Sequence, residues 1–243
     1  MTRLTLNRFA RSLWPSALAA AAGIGLLAGL QNYGVAQEAS RRLPEAALQA
    51  TEPVGGLRTA TLAGGCFWGV QGVFEHVRGV KQAVSGYAGG SRETATYETV
   101  SSGQTDHTEA VRISYDPAVI RYDELLQIFF SVALDPTQVN RQGPDTGPQY
   151  RSAIFPSDAE QARVAEAYIA QLEAAKVYSQ PIATRIERDA AFYPAEGYHQ
   201  DFMVLHPRHL YIVANDAPKL RALQRFFPER VVSEPVLVRR SPS

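Results

Sequence analysis

The sequence predicts an α+β fold built around a single core. Short strand-like runs and helical patterns interleave irregularly along the chain, which favours α+β over a doubly wound parallel sheet. The chain has 243 residues, of which 45% are hydrophobic and 20% are charged. These are ordinary values for a soluble globular protein, and the sequence contains no internal repeat.

The first half of the predicted core alternates strand and helix signals. RTATLAGG (58–65) predicts a strand that ends in two glycines, and apolar residues at helical spacing follow over 67–77. VKQAVSGYAGG (80–90) predicts a strand closed by a Gly-rich turn. HTEAVRISYD (107–116) alternates apolar and polar residues, as a half-buried strand does. An amphipathic helix is predicted over 122–132.

The second half begins with a long loop, DPTQVNRQGPDTGPQY (135–150), which contains three prolines and two glycines. A structureless loop of this length inside a compact domain is usually functional. RSAIFP (151–156) predicts a strand, and 157–176 predicts an amphipathic helix that opens on a Ser/Asp cap. IATRIER (182–188) predicts a further strand, and the aromatic-rich residues 189–230 contain helical pieces.

The first 36 residues have the order of a secretory signal peptide. Three arginines precede an uncharged stretch over 13–30, and Gly34 and Ala36 approximate a small-residue cleavage site. An uncleaved anchor is the alternative, because 18 apolar residues are at the lower limit for a bilayer span. In both cases we expect an exported, periplasmic protein, which contacts the membrane only if the segment is not cleaved. The polar residues 37–56 are interpreted as a linker.

The charge balance excludes a nucleic-acid-binding protein. Lys and Arg together number 24, as do Asp and Glu, but the first 36 residues hold three of the bases and no acid. The remainder therefore has 21 bases and 24 acids, a net charge of −3. A mildly acidic body has no electrostatic footprint for nucleic acid.

Cys66 is the one cysteine of the chain, so it forms no internal disulfide. It could be an inert buried thiol, an intermolecular partner or a reactive group. Its place at a strand-to-helix junction predicts a lowered thiol pKa, because a helix N-terminus favours an anion. Gly64 and Gly65 permit a tight turn that would leave the sulfur accessible. Phe67 and Trp68 could be plain core, or walls of a pocket for a small group such as S-methyl.

Five motifs, in order, resemble the peptide methionine sulfoxide reductase A family. They are GGCFWG (64–69), TATYETV (94–100), SGQTDHTEAV (102–111), RQGPDTGPQYRSAIF (141–155) and FYPAEGYHQDF (192–202). The resemblance runs from about Leu57 to about Asn215. It implies an α+β fold with a ferredoxin-like split β-α-β core and long irregular C-terminal segments. The enzyme domain would span 57–230 and a tail 231–243.

The resemblance implies thiol-dependent reduction of methionine-S-sulfoxide, free or in proteins, as a repair of oxidative damage. Cys66 would be the nucleophile that attacks the sulfoxide sulfur, with Phe67 and Trp68 around the substrate methyl group. Glu109 would protonate the sulfoxide oxygen. The chemistry independently requires such a proton, because the sulfoxide oxygen is a poor leaving group. A carboxyl in an apolar pocket can supply it, since the pocket holds the carboxyl partly protonated at neutral pH.

The same resemblance implies supporting roles for Tyr97, Tyr150 and Asp145. The two tyrosines would donate hydrogen bonds to the sulfoxide oxygen, and Asp145 would support the site from the long loop. Phenol O–H groups can stabilise developing charge without titrating. Without the motifs, ordinary half-buried packing explains both tyrosines, and a solvated strand position explains Glu109.

The chain departs from the family pattern at a few positions. Asp106, Thr108, Leu134 and Pro148 stand where Gly, Ala, His and Thr are common, and Asp106 could raise the pKa of the nearby Glu109. No cysteine follows Cys66, although many relatives carry one or two resolving cysteines there. We also expect a monomer with no bound cofactor or metal. A thioredoxin-like protein or a small thiol such as dithiothreitol would supply electrons to the sulfenic acid.

Two other classes of function stay open on the residues alone. A Cys/His hydrolase or transferase would use His107 or His199 as its base, and an inactive descendant would only bind methionine sulfoxide peptides. A Cys–His enzyme requires its histidine, the reductase requires Glu109, and a binding module tolerates Cys66→Ser. His199, His206 and His209 match no common metal-ligand spacing.

Overall fold

Residues 39–53 and 55–238, which the computed structural model describes, belong to the unit Glu38–Ser243 and contain eight strands and six α-helices. In chain order these are β1 (Arg58–Gly64), α1 (Phe67–Glu75), β2 (Val80–Ala88), α2 (Tyr97–Ser101), β3 (Thr108–Tyr115), α3 (Tyr122–Ile128), β4 (Arg141–Gln142), β5 (Asp145–Thr146), β6 (Ser152–Phe155), α4 (Ala159–Ala174), β7 (Arg185–Ile186), β8 (Phe192–Pro194), α5 (Phe202–Leu205) and α6 (Ala217–Phe226). The predicted signal peptide or anchor over 1–36 lies outside the described residues. None of the helices in the described ranges combines the length and hydropathy of a membrane span.

A six-stranded sheet in the order β7-β6-β1-β3-β2-β8 organises the domain. β3 pairs antiparallel with both β1 and β2, so α1 connects two strands that are separated by β3. β6 pairs antiparallel with β1, and β7 runs parallel to β6. The series β1-α1-β2-β3-α3-β6 with strand order β6-β1-β3-β2 is the ferredoxin-like split β-α-β arrangement. The predicted α+β class is confirmed.

α1 is buried along nearly its whole length, because the sheet lies on one side and the C-terminal segments lie on the other. Val70, Val73 and Phe74 are fully buried in the core. Gly72 allows a close approach: a Cβ there would lie 2.3 Å from the sulfur of Met203. The helix that begins beside Cys66 is therefore held firmly between two layers.

Some predicted elements differ in extent. The helix predicted over 122–132 is α-helical to Ile128 and continues as a π-helical turn over Phe129–Ala133. The loop 135–150 is irregular, as predicted, apart from the short β4–β5 pair and a 3₁₀ turn over Pro148–Tyr150. Only Arg185–Ile186 of the strand predicted over 182–188 is paired, because β7 is a short edge strand beside β6.

Residues 39–53, interpreted as part of a linker, pack against the domain instead of extending from it. They have no helix or strand, as their composition predicted, yet Leu43, Ala46 and Ala50 are buried. The Leu43 N–H donates to Ser131 Oγ at 3.1 Å, and the Ala50 N–H donates to Asp123 Oδ1 at 2.9 Å. These small apolar side chains and long-range hydrogen bonds explain why a polar sequence becomes an ordered strap.

The first residues of the predicted tail also contact the domain. Val231 forms an isolated antiparallel bridge with Val77, and the Val236 N–H donates to the Glu75 carbonyl at 2.9 Å. The Val238 N–H donates to Asp201 Oδ1 at 2.9 Å. The tail therefore covers the C-terminal end of α1.

Candidate active site

Cys66 is the N-cap of α1 and directly follows the turn that leaves β1. Gly65 has a φ of +85°, which favours glycine, and a Cβ there would lie 2.3 Å from the Gln142 side chain. Gln142 is buried and exchanges hydrogen bonds with the Asp135 backbone at 3.0 Å. The glycine of the turn therefore lets the loop 135–150 lie directly against the residue that precedes Cys66.

The Cys66 thiol is less accessible and less acidic than its position predicted. The residue is only 9% exposed. Burial raises the pKa of the thiol, and the nearby Glu109 and Asp216 carboxyls raise it further, whereas the Trp68 N–H and Lys219 lower it. The predictions of an accessible sulfur and a lowered pKa are wrong, because loss of water and two carboxyls outweigh the helix N-terminus.

Glu109 lies beside Cys66, although 42 residues separate it from Phe67 in sequence. Its Oε2 accepts a hydrogen bond from the Phe67 N–H at 2.9 Å, and the residue is 4% exposed. Burial raises the pKa of Glu109 to about 8, and Asp145 and Asp216 add to this effect, while the Phe67 N–H opposes it. The pKa is raised as expected, but Asp106 is not among the causes. At neutral pH the carboxyl is mostly protonated.

Aromatic side chains cluster beside the first turn of α1, on the side that faces α5. Trp68 stacks on Phe202 with ring centroids 3.8 Å apart, and the Phe67 ring lies 5.0 Å from the His199 ring. The Trp68 indole N–H donates to His199 Nδ1 at 3.2 Å, which fixes the indole plane. Phe67 and Trp68 therefore form part of an aromatic wall, with His199 and Phe202 as further members.

Tyr97 and Tyr150 reach the same site from two different segments. Burial raises the pKa of both phenols, and the charges of Glu109 and Cys66 add to it, so both remain hydrogen-bond donors at neutral pH. The Tyr97 N–H donates to Glu196 Oε1 at 2.9 Å. Glu196 thus ties the first turn of α2 to the FYPAEGYHQDF motif, a connection that the sequence did not predict.

Asp145 lies on β5 and is half-buried. Its Oδ2 accepts a hydrogen bond from the Tyr211 hydroxyl, and the Tyr211 ring packs edge-on against Trp68 at 5.8 Å. Burial raises the pKa of Asp145, while Tyr211 and Lys219 lower it. Tyr211 is a site residue that no motif singled out.

A buried charge pair, Asp216 with Lys219, completes the site and was not predicted. Asp216 Oδ1 lies 3.3 Å from Lys219 Nζ, and both side chains are almost wholly buried. Both residues act on the pKa of Cys66, Asp216 by raising it and Lys219 by lowering it. The sequence offered one weak signal for Asp216 and Lys219, which is that an acid and a base three residues apart can pair on a helix.

Two glutamines hold the aromatic wall in place. The Gln71 amide of α1 donates to the Ala83 carbonyl at 2.9 Å and to Gln200 Oε1 at 3.0 Å. Gln200 in turn donates to the carbonyls of Ser85 and Ala195. This buried network joins α1 and β2 to the residues that follow His199.

The histidines do not form a catalytic pair with the thiol or a metal cluster. His107 is held by the Gly90 N–H and the Ser91 carbonyl, and His199 is held by Trp68. The charged groups that act on Cys66 are Glu109, Asp216 and Lys219. Within residues 39–53 and 55–238, His, Cys, Asp and Glu form no group of three that could hold a metal ion.

A buried cysteine beside a protonated carboxyl, two phenols and an aromatic wall on an α+β sheet defines a thiol oxidoreductase. The profile of the family described as Peptide methionine sulfoxide reductase matches residues 58–230. Peptide methionine sulfoxide reductase MsrA 2 of Mesorhizobium japonicum is 56% identical over 183 residues, which are 75% of this chain and 94% of that protein. MsrA 2 of Synechocystis is 53% identical over 74% of this chain and 84% of its own length.

Solved structures of methionine sulfoxide reductases are also similar to this chain. The chain is similar to reduced Mxr1 from Saccharomyces cerevisiae, with a TM-score of 0.55 and 34% identity over 63% of this chain and 87% of that one. It is similar to methionine sulfoxide reductase A of Corynebacterium diphtheriae, with a TM-score of 0.54 and 30% identity over 70% and 92%. The chain belongs to the peptide methionine sulfoxide reductase family. It is an oxidoreductase of the A type that reduces methionine sulfoxide at the expense of thiols and so repairs oxidised proteins.

Proposed function

We propose that Cys66 is the nucleophile that takes the oxygen from methionine-S-sulfoxide, and that Glu109 supplies the proton that this transfer needs. The observation that carries the proposal is the bond from the Phe67 N–H to Glu109 Oε2 at 2.9 Å. It places a buried carboxyl beside the residue that follows Cys66. The pKa of about 8 keeps that carboxyl protonated at neutral pH.

The phenols of Tyr97 and Tyr150 donate hydrogen bonds to the sulfoxide oxygen as negative charge develops on it. Their raised pKa values support this role, because a phenol that stays protonated remains a donor throughout the reaction. Asp145 supports the site through its hydrogen bond with Tyr211, which in turn packs against Trp68.

Phe67 and Trp68 form the pocket for the S-methyl group of the substrate. The ring of Trp68 is held by Phe202 on its face and by His199 at its indole N–H, so the wall has a fixed geometry. A fixed wall for the methyl group and fixed donors for the oxygen leave one side of the sulfur facing Cys66. This arrangement supports selection of a single epimer of the sulfoxide, and the family resemblance implies that it is the S epimer.

The reaction balances without a cofactor. The sulfoxide is reduced to a thioether, the Cys66 thiol is oxidised to a sulfenic acid, and no proton is consumed overall. Because Cys66 is the one cysteine, the sulfenic acid reacts with an external thiol, forming a mixed disulfide and releasing water. A second external thiol then frees Cys66. A dithiol protein of the thioredoxin type supplies both thiols, as does dithiothreitol.

We also propose that the enzyme works as an exported, periplasmic monomer, with the enzyme domain over 57–230 preceded by a cleaved signal peptide over 1–36. The arginines before an uncharged stretch support export. N-terminal sequencing of the protein recovered from the periplasm tests this proposal. Cleavage after Ala36 is expected, and an intact N-terminus in the membrane fraction would contradict it.

Mass spectrometry after a single turnover tests the chemistry. The protein is mixed with one equivalent of methionine-S-sulfoxide and no reductant. We expect one methionine per chain and a gain of about 16 Da on Cys66. Cys66→Ser and the R epimer are the matched controls, and both should give no methionine. Methionine from the Ser variant, or no mass gain on Cys66, would contradict the proposal.

A further inference from the structure

The first turn of α1 packs against a buried pair of opposite charges. Asp216 is fully buried, and the Lys219 side chain is 12% exposed, with 3.3 Å between Oδ1 and Nζ. Among the described residues, neither oxygen of Asp216 has a hydrogen-bond partner other than this lysine. Burying two charges carries a desolvation cost that their mutual attraction seldom repays, so such a pair rarely stabilises a fold on balance. The pair therefore calls for a functional explanation.

Gly69 shows how closely the pair approaches the thiol-bearing turn. A Cβ at Gly69 would lie 2.1 Å from Asp216 Oδ1 and 2.8 Å from Lys219 Nζ. Gly69 is three residues after Cys66, so it belongs to the first turn of the same helix. Asp216 is the last residue of a π-helical turn, Ile212–Asp216, that continues directly into α6, and its side chain caps no helix. Its carboxylate is directed at α1 instead.

In the described parts of the chain, 39–53 and 55–238, the other groups that face the thiol are acidic or neutral. Glu109 approaches from β3, and Asp145 approaches from β5 with its charge engaged by the Tyr211 hydroxyl. The remaining neighbours are the phenols of Tyr97, Tyr150 and Tyr211, whose raised pKa values keep them neutral. Lys219 is thus the cationic side chain that acts on the Cys66 sulfur.

We propose that Asp216 and Lys219 are positioning residues that together control the charge on the Cys66 sulfur, a proposal that rests on the proposed function of Cys66. Asp216 disfavours the thiolate in the resting enzyme. Lys219 is the cation that stabilises negative charge on the sulfur when the thiol proton leaves. The opposite effects of the two residues on the Cys66 pKa agree with this division of roles.

The pair has a particular use in an enzyme with one cysteine. A thiolate reacts with oxidants far faster than a thiol does, and a sulfenic acid without a neighbouring thiol is open to irreversible oxidation. A carboxylate that holds the thiol protonated between turnovers limits this loss. The positive charge of the lysine beside it stabilises the thiolate, so the sulfur can still ionise during the reaction.

Alkylation of the full chain by iodoacetamide, measured from about pH 6 to pH 10, tests the proposal. The signal comes from Cys66 alone, since the chain has no other cysteine. Asp216→Asn leaves Lys219 as the nearby charge, and we expect alkylation at neutral pH to be faster by about tenfold, equivalent to a pKa lower by about one unit. In that background Lys219→Met should reverse at least about threefold of the gain, and Lys219→Arg should preserve it.

A purely structural role would not make Lys219→Met and Lys219→Arg differ in the rate of alkylation at a fixed pH. The proposal is overturned if Asp216→Asn leaves the alkylation rate at neutral pH unchanged, or if Lys219→Met has no effect in the Asn background. If Asp216→Asn does not fold, Lys219→Met in the native background should slow alkylation at each pH while Lys219→Arg keeps the wild-type rate, and equal rates overturn the proposal. If the rates change as expected but the chain reduces no methionine sulfoxide, only the proposed function is contradicted.

Discussion

Replacing Glu109 with glutamine should slow the enzyme and, at alkaline pH, stabilise it. Gln keeps the oxygen that accepts the Phe67 N–H but carries no acidic proton. The rate of sulfoxide reduction is expected to fall by a factor on the order of 10²–10⁴, the usual contribution of a general acid.

The stability effect follows from the linkage between protonation and folding. The ordinary pKa of the glutamate is 4.5, and the folded value is about 8. Between these pH values the unfolded chain has lost the proton and the folded chain retains it. The stability that the protonated carboxyl contributes is therefore complete below pH 4.5 and is lost as the pH rises through 8. At about 1.4 kcal/mol per pH unit, the loss has an upper limit of roughly 5 kcal/mol.

Urea unfolding at about pH 5 and about pH 8.5 measures this effect as a difference between two proteins. The free energy of unfolding of Glu109→Gln, relative to the wild type, should increase by at least about 2 kcal/mol from the lower to the higher pH. A constant penalty from the new buried amide cancels in this comparison. Glu75→Gln is the matched control: burial and Asp201 raise the pKa of Glu75 to about 9, and the residue lies outside the site.

Glu75→Gln should give the same dependence on pH and retain full activity. If the Glu109→Gln difference does not widen with pH, the carboxyl is not held protonated and the assigned proton donor is wrong. If it widens but activity survives above about half, Glu109 is a buried acid without a part in the reaction.

Three further predictions follow from the site. Turnover should continue with dithiothreitol or a thioredoxin-type protein and stop after one cycle without them. Dimedone should trap the sulfenic acid in the wild type and find none in Cys66→Ser. A stoichiometric Cys66–Cys66 dimer without a dimedone adduct would contradict the external-thiol cycle. Gly69→Ala should cost about 1–3 kcal/mol in urea unfolding, because the added Cβ would lie 2.1 Å from Asp216 Oδ1, and an unchanged midpoint would mean that the pair does not pack there. Trp68→Ala should raise KM for methionine sulfoxide by about tenfold, since the stacked wall on Phe202 is lost, whereas an unchanged KM would remove Trp68 from the methyl pocket.

Elements with strong local signals were predictable from the sequence. Strand-like runs that end at glycines predicted β1 and β2, and alternation predicted β3. Helical spacing with a Ser/Asp cap predicted α4, where the Asp158 side chain accepts from the Gln161 N–H. Weak elements were not individually predictable. α2, β8 and α6 are short or polar, so the local sequence carries little signal for them, and contacts with distant segments decide whether they form.

The sequence by itself determined the class of the chain, because the order of five motifs and the α+β pattern are properties of local residues. It also marked Cys66 and Glu109 as candidates. Only the tertiary structure decided that the thiol is buried, that Glu109 binds the Phe67 N–H, and that Asp216 and Lys219 stand beside them. Desolvation and contacts between distant segments set the pKa values of these groups, and neither quantity is encoded in residue spacing.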